Sequence, residues 1–189
     1  MSTRTIAAAA TIVLAACAPE ARSPETATAD LACFGSRVLS YQTLVAEVVI
    51  PAGESCESGT FEVVFTRGAD TLAALTESRR GSVGFIGTAD VDGDGRGEFF
   101  VATHTEDADK RGELFAFTDA GDAIRKLPLA SLDSTQLAGY SGHDRFGFGG
   151  ANQLVRAFPR DGNAADTAWY GYSHGESRWV PVERPSWLR

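Results

Sequence analysis

Apolar positions recur along most of this chain in short runs separated by Gly, Asp and Pro clusters. Phe61, Val63 and Phe65 alternate in TFEVVFT; in EFFVATH, Phe99, Val101 and Thr103 alternate against Phe100, Ala102 and His104. GELFAFT, QLVRAFP, AWYGYSH and SRWVPV repeat the same aromatic, β-branched pattern. A period of two belongs to strands, because successive side chains point to opposite faces. Asp70–Arg79 and Leu129–Gly139 read as helical, each as a single turn or as an irregular loop. About eight strands with short connections predict an all-β antiparallel β-sandwich with one or two short helical turns. No internal repeat of fixed period is present.

The first residues read differently. Arg4 precedes an apolar stretch from Ile6 to Ala16, and no acid occurs before Glu20. That is the layout of a secretory signal over residues 1–16, too short to span a bilayer. Leu14-Ala15-Ala16-Cys17 resembles the lipobox of bacterial lipoproteins, a resemblance that implies lipidation of Cys17. Acyl chains at about 0.8 kcal/mol per buried methylene would hold the protein on a membrane surface. Ala18 is not the aspartate associated with inner-membrane retention, so the expected location is the periplasmic face of the outer membrane. Residues 17–29, rich in Pro, Ala, Thr and Glu, read as a flexible tether, and residues 30–189 as one folded domain.

Composition narrows the function classes. With 43% hydrophobic and 22% charged residues the chain can bury a core, and its net charge of -8 disfavours nucleic acid as a partner. Setting Cys17 aside leaves Cys33 and Cys56, expected to form a disulfide in an oxidising compartment, worth roughly 3 kcal/mol if unstrained. A redox or metal pair is the weaker reading, since there is no CxxC spacing and no histidine nearby.

The sharpest local signal is Asp90-Val91-Asp92-Gly93-Asp94-Gly95-Arg96-Gly97-Glu98. Alternating carboxylates followed by glycine let a loop curl around a hard cation, so Asp90, Asp92, Asp94 and Glu98 are candidate ligands for a structural calcium ion. An EF-hand is disfavoured, because its twelfth position is Val101; the pattern matches a β-hairpin calcium loop instead. The same residues also fit an acidic turn that binds nothing. An enzyme is not expected, an envelope hydrolase using the acidic cluster being only a remote third reading. There is no HxH, HExxH or GxSxG, and Gly147-Phe148-Gly149-Gly150 reads as a hairpin turn, not a phosphate cradle.

Three segments together carry a family resemblance. SVGFIGTADVDGDGRGEFFVATH, Gly142-His143-Asp144-Arg145-Phe146 and Leu154-Val155-Arg156-Ala157-Phe158-Pro159 are similar to segments of the periplasmic inhibitors of invertebrate-type (i-type) lysozyme. The match runs over roughly 60–173. It implies an antiparallel β-sandwich that blocks a lysozyme cleft with protruding loops and so protects peptidoglycan, the partner being a lysozyme or related peptidoglycan hydrolase. An acidic inhibitor gains association rate against a basic lysozyme.

One departure matters. The loop after the acidic hairpin reads Thr105-Glu106-Asp107-Ala108-Asp109-Lys110-Arg111, without the family's Ser-Gly-Tyr run. Two readings of it stand: a cleft-entering loop whose Glu106, Asp107 and Asp109 meet basic groups, or a solvated charged loop. The second candidate loop, Gly139–Asp144, offers Tyr140, Ser141, His143 and Asp144, with His143 either a contact or a structural histidine and Asp144 able to pair with Arg145. A calcium-stabilised envelope binding module without inhibitory activity is the alternative to an inhibitor. The oligomeric state is open.

Overall fold

The computed structural model describes residues 25–27 and 35–185. Cys17, Cys33 and the expected signal peptide lie outside them. The fold is all-β and every strand pairing is antiparallel, as the period-two pattern predicts. Thirteen strands are described, with one 3-10 turn at Gly150–Asn152.

Three sheets stack. The first contains β2 (Gly35–Tyr41), β3 (Leu44–Ile50), β4 (Ser58–Arg67) and β5 (Asp70–Arg80) in that order. The central sheet has the order β1–β6–β7–β8–β9, from β1 (Glu25–Ala27), β6 (Ser82–Ala89), β7 (Glu98–His104), β8 (Gly112–Asp119) and β9 (Ile124–Lys126). The third contains β10 (Arg145–Phe148), β11 (Leu154–Arg160), β12 (Asn163–Ser173) and β13 (Arg178–Pro181) in order.

The central sheet faces a core on each side. Val83, Ile86, Phe99, Val101, Phe115 and Phe117 pack against Leu39, Val48, Phe61, Val63 and Phe65 of the first sheet. Phe85, Phe100, Ala102 and Ala116 pack against Phe146, Phe148, Leu154, Phe158, Tyr170 and Trp179 of the third. The molecule is therefore a triple stack with two cores, which the strand count of the sequence reading does not anticipate. Both faces of β7 alternate between the cores, so all residues from Glu98 to Thr103 are buried.

Asp70–Arg79, read as helical, belongs to β5. Its inward positions Ala73, Leu75, Glu77 and Arg79 alternate with exposed Leu72, Ala74, Thr76 and Ser78, a strand period imposed by pairing with β4. Leu129–Gly139 is irregular and contains a single turn, Leu137 N–H donating to the Asp133 carbonyl at 2.9 Å. Glu25–Ala27, inside the stretch read as a tether, pairs with β6 as an edge strand. Ladder hydrogen bonds join backbone groups, so a stretch without apolar alternation can still form an edge strand.

Candidate functional site

The two ends of β7 carry the two candidate regions. The acidic hairpin joins β6 to β7, and the Thr105–Arg111 loop joins β7 to β8.

At the first end, carboxylates organise the turn. Asp90 accepts the N–H groups of Gly93 (2.7 Å) and Gly95 (3.0 Å), Asp92 that of Asp94 (3.0 Å), and Asp94 that of Arg96 (2.8 Å). Gly93 and Gly95 both have positive φ, where any other residue would be strained. Glu98 is buried; it accepts the Val91 N–H at 2.9 Å and the Thr118 hydroxyl at 3.1 Å. Burial pushes its pKa up to about 7, the Val91 hydrogen bond opposing this and the Asp92 charge adding to it. Ligand oxygens of Asp90, Asp92 and Glu98 lie within 4.8 Å of one another, while Asp94 stands outside that group. Three hard oxygen donors so close suit a calcium ion. Turns from both outer sheets brace this end: Gln42 donates to the Gly95 carbonyl at 2.8 Å, and His174 Nε2 lies 3.7 Å from Asp92.

At the other end, the structure brings the two candidate loops together. The His143 N–H donates to the Asp109 carbonyl at 2.5 Å, and the Gly142 Cα passes so close that an added Cβ would sit 1.9 Å from that oxygen. Beneath them lies Asp144, whose side chain is fully buried. It accepts from Arg156 Nε (2.7 Å), the Gly112 N–H (2.7 Å) and the Tyr140 hydroxyl, and its carbonyl meets His104 Nε2 at 2.8 Å. Asp144 therefore pairs with Arg156 and not with neighbouring Arg145, because β10 alternation turns the two to opposite faces. Burial and the Asp144 hydrogen bond push Tyr140 up to about 12, and burial lowers the pKa of His104.

The acids of the Thr105–Arg111 loop are occupied within it. Asp107 accepts from the Thr105 hydroxyl (2.7 Å) and the Asp109 and Lys110 N–H groups (3.1 and 3.2 Å), and the Thr105 bond leads in holding its pKa low. Hydrogen bonding from Ser82 does the same for Glu106, which also pairs with Lys110 at 3.4 Å. Arg111 pairs with Asp109 at 3.0 Å, and its N–H donates to Thr105 Oγ1 at 2.9 Å. Ser141 Oγ accepts the Gly162 N–H at 3.0 Å.

Sequence reasoning missed Arg156 and His104 as the supports of this face. The only signal available was an arginine and a histidine set in otherwise apolar strands. The expected Cys33–Cys56 pairing involves Cys33, which lies outside the described residues. Among the described residues no helix is long and apolar enough to cross a membrane. Scans against family models, curated proteins and solved structures each return no match.

Proposed function

We propose that this is a lipid-anchored, non-enzymatic envelope protein that blocks a lysozyme or related peptidoglycan hydrolase with the paired loops Thr105–Arg111 and Gly139–Asp144. The observation that carries the reading is the bracing of those loops into one rim over buried Asp144. A loop with its polar groups already satisfied loses little entropy on binding, which is how a rigid inhibitor gains affinity. Lipidation at Cys17, attachment to the outer membrane and a Cys33–Cys56 disulfide belong to the same proposal.

The test is inhibition of invertebrate-type, chicken-type and goose-type lysozymes by the purified protein, beside an Ala108→Trp variant. Ala108 is exposed at the tip of the first loop, and its side chain has no part in the bonds that brace the rim. We expect inhibition of one class, weakened tenfold or more (about 1.4 kcal/mol) by the bulky tip. Inhibition that A108W leaves unchanged removes the loop from the mechanism; silence across the panel removes the lysozyme.

A second reading rests on the cluster of Asp90, Asp92 and Glu98. There the protein is a calcium-stabilised binding module, and the ion fixes the β6–β7 hairpin. Calcium-dependent stability separates that reading from a metal-free inhibitor.

A further inference from the structure

The outer face of the third sheet contrasts in charge with the molecule as a whole. Against a net charge of -8, an open groove of about 490 Å³ on this face is lined by Lys110, His143, Arg145 and Pro159, with Gly162 and Ala164 from the β11–β12 hairpin. Asp144 also lines it, but its carboxylate is turned inward onto Arg156, Tyr140 and Gly112 and presents no free charge. Asp161 and Asp166, on the same hairpin, lie outside the lining.

The cations differ in how far they are neutralised. Lys110 pairs loosely with Glu106 across exposed side chains. Arg145 makes no ion pair among the described residues; its guanidinium lies 5.7 Å from the centre of the Trp169 ring. Arg184 lies over the same ring at 6.0 Å. Trp169 lies outside the lining, and the apolar surface beside the lining cations is that of Pro159.

We propose that this groove binds an anionic glycan. Acidic sugars present carboxylates, which a planar guanidinium such as that of Arg145 holds through paired hydrogen bonds, and C–H faces, which lie on an apolar ring such as that of Pro159. The groove is shallow and open, so it suits a chain laid across it better than a compact ligand that needs enclosure. The proposal does not depend on lysozyme inhibition.

The experiment is a titration of the full chain with hexagalacturonate, followed by tryptophan fluorescence and by amide chemical shifts, at low and high salt. Expected are saturable binding, weakening with salt, and a loss of about fivefold or more in Arg145→Gln. Ala164→Trp, which fills the groove from an exposed position, should abolish binding while leaving the unfolding transition intact. No saturable binding, or undiminished affinity in R145Q and A164W, overturns the proposal. So does equal binding of neutral chitohexaose, which denies the charge argument, or tighter binding of hexaglutamate, which reassigns the groove to acidic peptides.

Discussion

Gly142 shows how much one residue can decide at the loop rim. Its φ of 85° and its approach to the Asp109 carbonyl both exclude a side chain. Gly142→Ala should therefore destabilise the protein by about 1–3 kcal/mol, seen as a lower urea midpoint at unchanged m-value. Under the proposed inhibitor function it should also loosen the rim, so that inhibition would fall more than stability alone explains. His104 makes a second prediction. Burial lowers its pKa in the folded state below its unfolded value of about 6.5, so the folded protein binds fewer protons than the unfolded chain in acid. Stability should be unaffected by this group above pH about 6.5 and should decline as pH falls below it. Glu98, with its pKa raised to about 7, contributes the opposite trend over the same window, so the check is the difference in urea midpoint between the wild type and His104→Gln from pH 7.5 to 5, which should shrink as pH falls.

At the scale of elements, β6–β7 with its acidic turn is the part most fully legible in the sequence, because glycine placement and alternating carboxylates are local signals. The structure brings together Asp90, Asp92 and Glu98 and leaves Asp94 aside, a matter of where one carboxylate points that spacing does not encode. Adding calcium should raise the melting temperature, chelator should reverse the rise, and Asp90→Asn should remove the response. At a hundredfold excess over the dissociation constant the gain would be about 2.7 kcal/mol. A melting temperature indifferent to calcium would leave the hairpin an acidic turn. β5 was illegible for the opposite reason. Its leucines and alanines favour helix locally, and only pairing with β4, which is non-local, makes it a strand.

Across the whole molecule, alternation revealed strands but not layers. EFFVATH has apolar residues on both faces, a pattern that marks a strand buried on both sides. Because β6, β7 and β8 contribute to both cores, the three sheets should unfold together. Phe65 lies in the first core, whereas Trp169 and Trp179 belong to the third sheet. Phe65→Ala should cost about 3–5 kcal/mol and shift the tryptophan fluorescence transition by the same amount as the circular dichroism transition. Two separated transitions would show that the layers are independent.

The short strand β1 sets a direction for the molecule. Glu25 lies opposite Thr88 and Ala27 opposite Ile86, so the chain enters the domain beside the acidic hairpin and runs toward the other end. β7 measures about 20 Å at roughly 3.4 Å per residue, and it separates that entry point from the rim of His143 and Asp109. Were Cys17 the lipid anchor proposed above, the acidic end would lie nearer the lipid than the rim. Lengthening the segment before Glu25 would then change how far the protein reaches, without changing which end it presents.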